Sequence, residues 1–329
     1  MSLKILIIKH GALGDVVRTS YFIEPLKKKW VDSLIFWKTE ENARDILQNV
    51  PGLDRLSTSW SDLLEINFDI VYSLDDEMEV LSWVSKLSTN KLVGAYIDSN
   101  NRALYTENSS LWFDMGLRSK FGKEIADNLK LNNKKGHGEI FKAIFDVSEV
   151  EPKFYLDNEH YELKEQLKGH DFFKIGINPY AGGRWPSKEL QPIELQNLIK
   201  ILLKNTPYST KIYLFGGGND LDRNYAVCEK YQTNRLIALD TNKSIQILAT
   251  HIGSMNIFIT SDSLAMHLSI AQKIKTLAFF SPTSAAEIDD FGIARKLIST
   301  HEDYCSYSPN ADNSSITAER ILYSISDWI

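Results

Sequence analysis

Cysteine is scarce in this chain: two among 329 residues, Cys228 and Cys305, too few for a disulfide framework or a thiolate metal cage. No apolar run approaches the ~20 residues that cross a bilayer. The amino-terminal burst after Lys4 (Ile5, Leu6, Ile7, Ile8) is too short for a secretory core. Basic charge is short as well, with 37 Lys and Arg against 43 Asp and Glu and a net of −6. A general phosphate-backbone binder carries a basic surplus, so nucleic acid is not expected as the main partner. These absences favour a cytoplasmic protein without a transmembrane segment. Apolar residues, by contrast, make up an ordinary 43% of the chain. At roughly 150 residues per domain, the length predicts about two domains.

Apolar runs alternate with helix-length segments. Lys4 to Lys9 reads as a buried strand, followed by a glycine turn and a helix carrying Val16, Val17, Phe22, Ile23 and Leu26, closed by Lys27, Lys28 and Lys29. Strands are expected at Ser33–Trp37 and Asp69–Leu74, with helices from Glu40 to Asn49 and Glu77 to Leu87. The pattern restarts with strands at Phe173–Asn178, Lys211–Phe215, Met255–Thr260 and Lys275–Phe279, and helices at Glu189–Leu203 and Leu264–Gln272. Such alternation predicts parallel βαβ units. The polar stretch from Glu149 to His170 separates the two series, and Thr317–Ile329 reads as a closing helix. The expected organisation is residues 1–155, a linker at 156–172, a second domain at 173–315 and a terminal helix at 316–329. Ligands of open α/β domains lie at the carboxyl ends of the strands.

Three loops at strand ends carry the chemical signal. In Gly11-Ala12-Leu13-Gly14-Asp15, the glycines allow a tight turn and Asp15 stands at the first turn of a helix; a plain N-cap is the structural alternative. The spacing is not Gly-x-Gly-x-x-Gly, so no dinucleotide site is indicated. In Asn178 to Lys188, Gly182 and Gly183 let backbone amides approach a ligand, while Arg184 and Lys188 add positive charge suited to a diphosphate. In Thr260 to His267, Ser263 and His267 share a helix face. Asp262, which a phosphate would repel, is expected to cap the helix or to take a hydroxyl or backbone donor. The run Asp75, Asp76, Glu77 and Glu79 reads as an acidic helix start. Hydrolase-elbow, Walker and zinc-protease motifs do not occur.

Taken in order, the three loops resemble glycosyltransferase family 9, the ADP-heptose heptosyltransferases of lipopolysaccharide synthesis. The resemblance is carried by Leu13-Gly14-Asp15-Val16-Val17, by Asn178-Pro179 with Gly182-Gly183-Arg184-Trp185-Pro186, and by Asp262-Ser263 with Met266-His267-Leu268 and Ser281-Pro282-Thr283. It implies a GT-B fold: an α/β architecture of two Rossmann-like parallel-sheet domains facing across a cleft, acceptor-binding first and nucleotide-sugar-binding second. It also implies a terminal helix that returns towards the first domain. The implied mechanism is inverting, with Asp15 as general base. Donor contacts would come from Gly182, Gly183, Arg184, Lys188, Asp262, Ser263 and His267, and the acceptor side from Gly14, Asp75 and Asp76. The donor is ADP-heptose or a similar nucleotide-sugar, with ADP as product and no cofactor or obligatory metal. The implied acceptor is a glycan or glycolipid, and the resemblance leaves peripheral contact at the inner face of the inner membrane open. Leu264 replaces the family's glycine, and Gly183 stands where the family has lysine, with Lys188 as a substitute from the other side of the loop. The carboxylates Asp75 and Asp76 argue for an acceptor that is not strongly anionic. Transfer from another nucleotide-sugar to a non-lipopolysaccharide acceptor, or nucleotide-sugar binding without catalysis, are the alternatives these residues leave open.

Overall fold

The computed structural model describes residues 2–169, 171–183 and 185–329. The chain forms two compact units, Met1–Glu151 with Ala286–Asp289, and Pro152–Ala285 with Asp290–Ile329.

The first unit is built on β1 (Lys4–Ile8), β2 (Leu34–Lys38), β3 (Arg55–Ser57), β4 (Asn67–Ser73), β5 (Ser88–Ile97) and β6 (Ala103–Tyr105), in the sheet order β3-β2-β1-β4-β5-β6. All neighbours run parallel except β6. Ile5 lies opposite Ile35 on one side and Ile70 on the other. Residues Ile5 to Ile8 are wholly buried, as a central parallel strand covered on both faces requires. The strand order reverses between β1 and β4, so the loops leaving these two strands emerge side by side.

The second unit repeats this plan with β7 (Phe173–Asn178), β8 (Thr210–Gly216), β9 (Leu236–Asp240), β10 (Ile257–Ser261), β11 (Lys275–Phe280) and β12 (Ala294–Ile298). Its order, β12-β11-β10-β7-β8-β9, is the first sheet's order counted from its own first strand, and it is parallel throughout. The reversal here falls between β7 and β10. Each unit is therefore Rossmann-like, and the α/β fold class expected from the sequence is observed.

Several local expectations change. The first helix is two, Leu13–Ser20 and Ile23–Lys29. Pro25 has no amide hydrogen to give the Tyr21 carbonyl, so the hydrogen-bond ladder cannot run through. The expected linker 156–172 contains a helix, Asn158–Lys168, capped by Asp157 and packed against the helix Ile245–Gly253 of the second unit. The terminal helix Ala318–Ile325 was expected to return to the first domain. It buries Ala318, Ile321 and Ile325 in the core of the second unit, against the helix Pro192–Asn205 and strands β11 and β12. Instead, Ala286–Asp289 is the late segment that joins the first unit. There the Gly138 amide, in the first turn of the helix His137–Phe145, donates to Asp289 Oδ2 at 2.6 Å. A Cβ on Gly136 would lie 2.1 Å from the same carboxylate, so the fit requires glycine.

Candidate active site

At the reversal point of the first sheet, Lys9 follows β1 and Asp75 follows β4. The Lys9 ammonium pairs with Asp75 Oδ1, and their side chains are only 7% and 3% exposed. The His10 amide donates to Asp75 Oδ2 at 2.5 Å. Burial pushes the Asp75 carboxyl up, against the opposing pull of Lys9. Burial alone would lower Lys9, but Asp75 and Asp15 outweigh it and hold the ammonium above its ordinary value.

Asp15 is the third residue of the helix Leu13–Ser20, whose N-cap position is Ala12. Asp15 is therefore no cap; its carboxylate turns along the helix to Arg18. Arg18 Nη2 and Nε lie 2.9 and 3.1 Å from Asp15 Oδ1, and Lys9 Nζ is 3.8 Å from Oδ2. Arg18 is itself held, donating to the Glu287 carbonyl at 3.2 Å and lying over the Trp112 ring. Asp15, flanked by these two cations, keeps 27% side-chain exposure. Gly14 is buried in the same turn, and among the described residues other than its chain neighbours no atom lies within 4 Å of where a Gly11 Cβ would be.

Beside this turn is a pocket of about 400 Å³ lined by His10, Gly11, Glu40, Asn42, Trp60, Glu77, Glu79 and Val80. Trp60 stacks on Trp83 with ring centroids 5.9 Å apart. His10 Nδ1 is 3.0 Å from Glu40 Oε1. Burial, helped by Lys38, pulls the His10 pKa down to about 4, so the imidazole is neutral at pH 7. Asp75, expected to face the acceptor, is closed off by Lys9 and the His10 amide. Asp76 is half-buried, its carboxyl raised by burial and by Glu77. The carboxylates that do line the pocket are Glu40, Glu77 and Glu79.

The second reversal point is built from the loops after β7 and β10. Asn178 Nδ2 reaches the Tyr180 carbonyl at 3.3 Å, Thr260 Oγ1 at 3.2 Å and Ser263 Oγ at 3.1 Å, tying the two strand ends together. Ser263 is the N-cap residue of the helix Leu264–Ala271, so Asp262 is not the cap. Asp262 Oδ2 instead accepts from Lys188 Nζ and from the Thr283 hydroxyl, each at 2.7 Å. Burial would raise the Asp262 carboxyl, but Lys188, Thr283 and His267 outweigh it and hold it below its ordinary value. The Lys188 charge, expected for a diphosphate, is thus balanced by Asp262. His267 is buried one helical turn beyond Ser263. Gly182 and Gly183 are exposed and take φ of 73° and 77°, and among the described residues other than their chain neighbours no atom lies within 4 Å of where a Cβ would be. Such left-handed backbone favours glycine. Arg184 lies outside the described residues.

The structure brings Asp15 and Gly14 together with Lys9 and Arg18, and groups Lys188, Asp262, Ser263 and Thr283 separately. Lys9, Arg18 and Trp60 were not singled out from sequence. The signals were a lysine ending a buried strand and an arginine three residues after Asp15 on one helix face. Among the described residues, no group of three or more His, Cys, Asp or Glu is placed to hold a metal ion.

Two Rossmann-like units, each a six-stranded mostly parallel sheet, give the α/β architecture of the GT-B glycosyltransferases. Residues 58–314 match glycosyltransferase family 9 (heptosyltransferase), and the chain belongs to that family. It is 31% identical over 116 residues to lipooligosaccharide heptosyltransferase 2 of Campylobacter jejuni, a match covering 33% of this chain. That match spans about a third of the relative's length, 34%. Among solved structures, a family 9 glycosyl transferase from Veillonella parvula superposes with TM-score 0.73 at 19% identity, covering 99% of this chain and 97% of that one. The ADP-heptose lipopolysaccharide heptosyltransferase II of E. coli gives 0.68 at 18% identity, with 99% and 98% covered. At these identities the two structures establish the fold.

Proposed function

We propose that the chain is an inverting glycosyltransferase that moves heptose, or a related sugar, from ADP-heptose or a similar nucleotide-sugar to a glycan hydroxyl in surface-glycan synthesis. Support comes from family membership, and the observation that carries the reading is the part-exposed Asp15 carboxylate beside Lys9 and Arg18. In this reading Asp15 takes the proton from the acceptor hydroxyl as its oxygen forms the new bond to the anomeric carbon, and the nucleoside diphosphate leaves with the electron pair of the broken bond. The loop amides at Gly182 and Gly183, and the helix amino terminus behind Ser263, stabilise the departing charge.

The acceptor is read from the pocket at His10 and Gly11. Three carboxylates, a neutral imidazole and a tryptophan face suit a hydroxyl-rich or amine-bearing sugar and disfavour an anionic one. Asp75 contributes nothing to that preference.

The test is nucleoside diphosphate release from a panel of nucleotide-sugars with candidate acceptors. Asp15→Asn is expected to lower turnover by about 10²–10⁴-fold, with donor binding by calorimetry preserved. Unchanged turnover in Asp15→Asn, or no binding of any nucleotide-sugar, would overturn the reading.

A further inference from the structure

The two cations beside Asp15 are held in different ways. Lys9 Nζ is 3.8 Å from Asp15 Oδ2, beyond hydrogen-bond reach, and its closer partner is the buried Asp75 carboxylate. Arg18 brings both Nη2 and Nε within hydrogen-bond distance of Asp15 Oδ1. Ion pairs three residues apart on an open helix face are weak and loosely oriented. This pair is enclosed. The Arg18 side chain is 10% exposed, its Nη1 donates to the Glu287 carbonyl, and its guanidinium carbon lies 5.5 Å from the centre of the Trp112 ring. Each support is fixed in turn. Trp112 meets the rings of Phe141 and His137 edge-on, with centroids 5.0 and 5.5 Å away. Asp289, two residues after Glu287, takes the Gly138 amide. Three separate stretches of chain thus converge on one arginine, more than a pair within a single helix needs for its own stability.

We infer that Arg18 is the positioning residue of the general base, and that Trp112 and the Glu287 carbonyl form the frame that aims it. The inference rests on the sugar-transfer reading, in which Asp15 takes the acceptor proton. A planar guanidinium with two donors on one carboxylate oxygen and a third on a backbone carbonyl restrains the Asp15 side chain before an acceptor arrives. Restraint of this kind speeds proton transfer without adding to substrate affinity. Lysine is a point charge without the fork, so it does not replace arginine here. Lys9 does not duplicate the role, because Asp75 holds its ammonium.

The experiment is a double-mutant cycle on the full chain: wild type, Arg18→Met, Asp15→Asn and the two together. Nucleoside diphosphate release is followed with the nucleotide-sugar and acceptor that the wild-type chain turns over. Arg18→Met should lower kcat about 10²-fold, with both KM values and the donor affinity by calorimetry unchanged. Beside Asp15→Asn the same substitution should cost less than about twofold, because the group it aims is gone. Arg18→Lys should restore only part of the loss. Trp112→Leu leaves the arginine in place and should lower kcat about tenfold, again with no further cost beside Asp15→Asn; this second cycle decides the question if Arg18→Met does not fold. Equal losses in the two Asp15 backgrounds, a raised KM with kcat intact, or full turnover in Arg18→Met would overturn the inference. Failure of Asp15→Asn with full turnover in Arg18→Met removes this inference alone. Normal turnover in Asp15→Asn removes the sugar-transfer base and this inference with it.

Discussion

At the reversal point of the first sheet, Lys9 and Asp75 are 7% and 3% exposed; at that of the second, Lys188 and Asp262 keep 17% and 13%. In both units the lysine comes from the chain leaving the first strand and the aspartate from the chain leaving the fourth. One topology therefore produces the same charge pair twice, at two depths. The deeper pair closes on itself and on the His10 amide, joining two strand ends beneath Asp15. The shallower pair recruits the Thr283 hydroxyl. The two pairs thus differ in depth, the first closed off and the second part-exposed.

Removing one partner from each pair breaks or sharpens this contrast most directly. Asp75→Ala leaves the buried Lys9 ammonium with only the more distant Asp15 carboxylate at 3.8 Å and is expected to cost about 3–5 kcal/mol, read by urea denaturation. Asp262→Ala, nearer to solvent, should cost about 1–3 kcal/mol. Equal losses would erase the distinction in depth. Next in size is Lys188→Ala, expected to weaken ADP binding by about tenfold, the order of one charge-assisted hydrogen bond. Its melting temperature should move less than that of Asp75→Ala. A smaller effect concerns His10. The unfolded chain takes a proton near pH 6.5, while the folded imidazole waits until about 4. In that window the unfolded state binds more protons, so stability should fall as pH drops from about 6.5 to 4. His10→Gln should flatten that slope in melting temperature against pH; an unchanged slope would mean that His10 is not held neutral.

The buried strands were legible because both faces of a central parallel strand need apolar residues. β7 was read to the residue, and β1, β8, β10 and β11 within two residues at each end. The strands missed are those whose environment differs. β3 and β6 have three residues each, β5 buries only Val93, Gly94 and Ala95 of its ten, and β9 and β12 are edge strands with one buried residue each. The helix Asn158–Lys168 buries no residue fully, so it reads as a polar connection. In the site, Asp15 was legible because a glycine turn announces it. Its setting was not, because Asp75 reaches Lys9 across 66 residues only once β4 pairs beside β1. The acidic run after β4 misled for the same reason. Sequence shows the charges together, whereas packing sends Asp75 inward and leaves Glu77 and Glu79 at the pocket.

The return of Ala286–Asp289 to the first unit sets an order on biosynthesis. Domains generally fold as units, the amino-terminal one first, as the chain is made. Here the first unit is incomplete when Glu151 is added. Its Gly138 amide has no Asp289 carboxylate, and Arg18 has no Glu287 carbonyl, until strands β7 to β11 have also been synthesised. The helix end at His137 and the arginine that holds Asp15 are therefore finished late. A ribosome paused between the two units would hold a first sheet whose proposed catalytic corner is still unset, so activity would be withheld until nearly the whole chain exists.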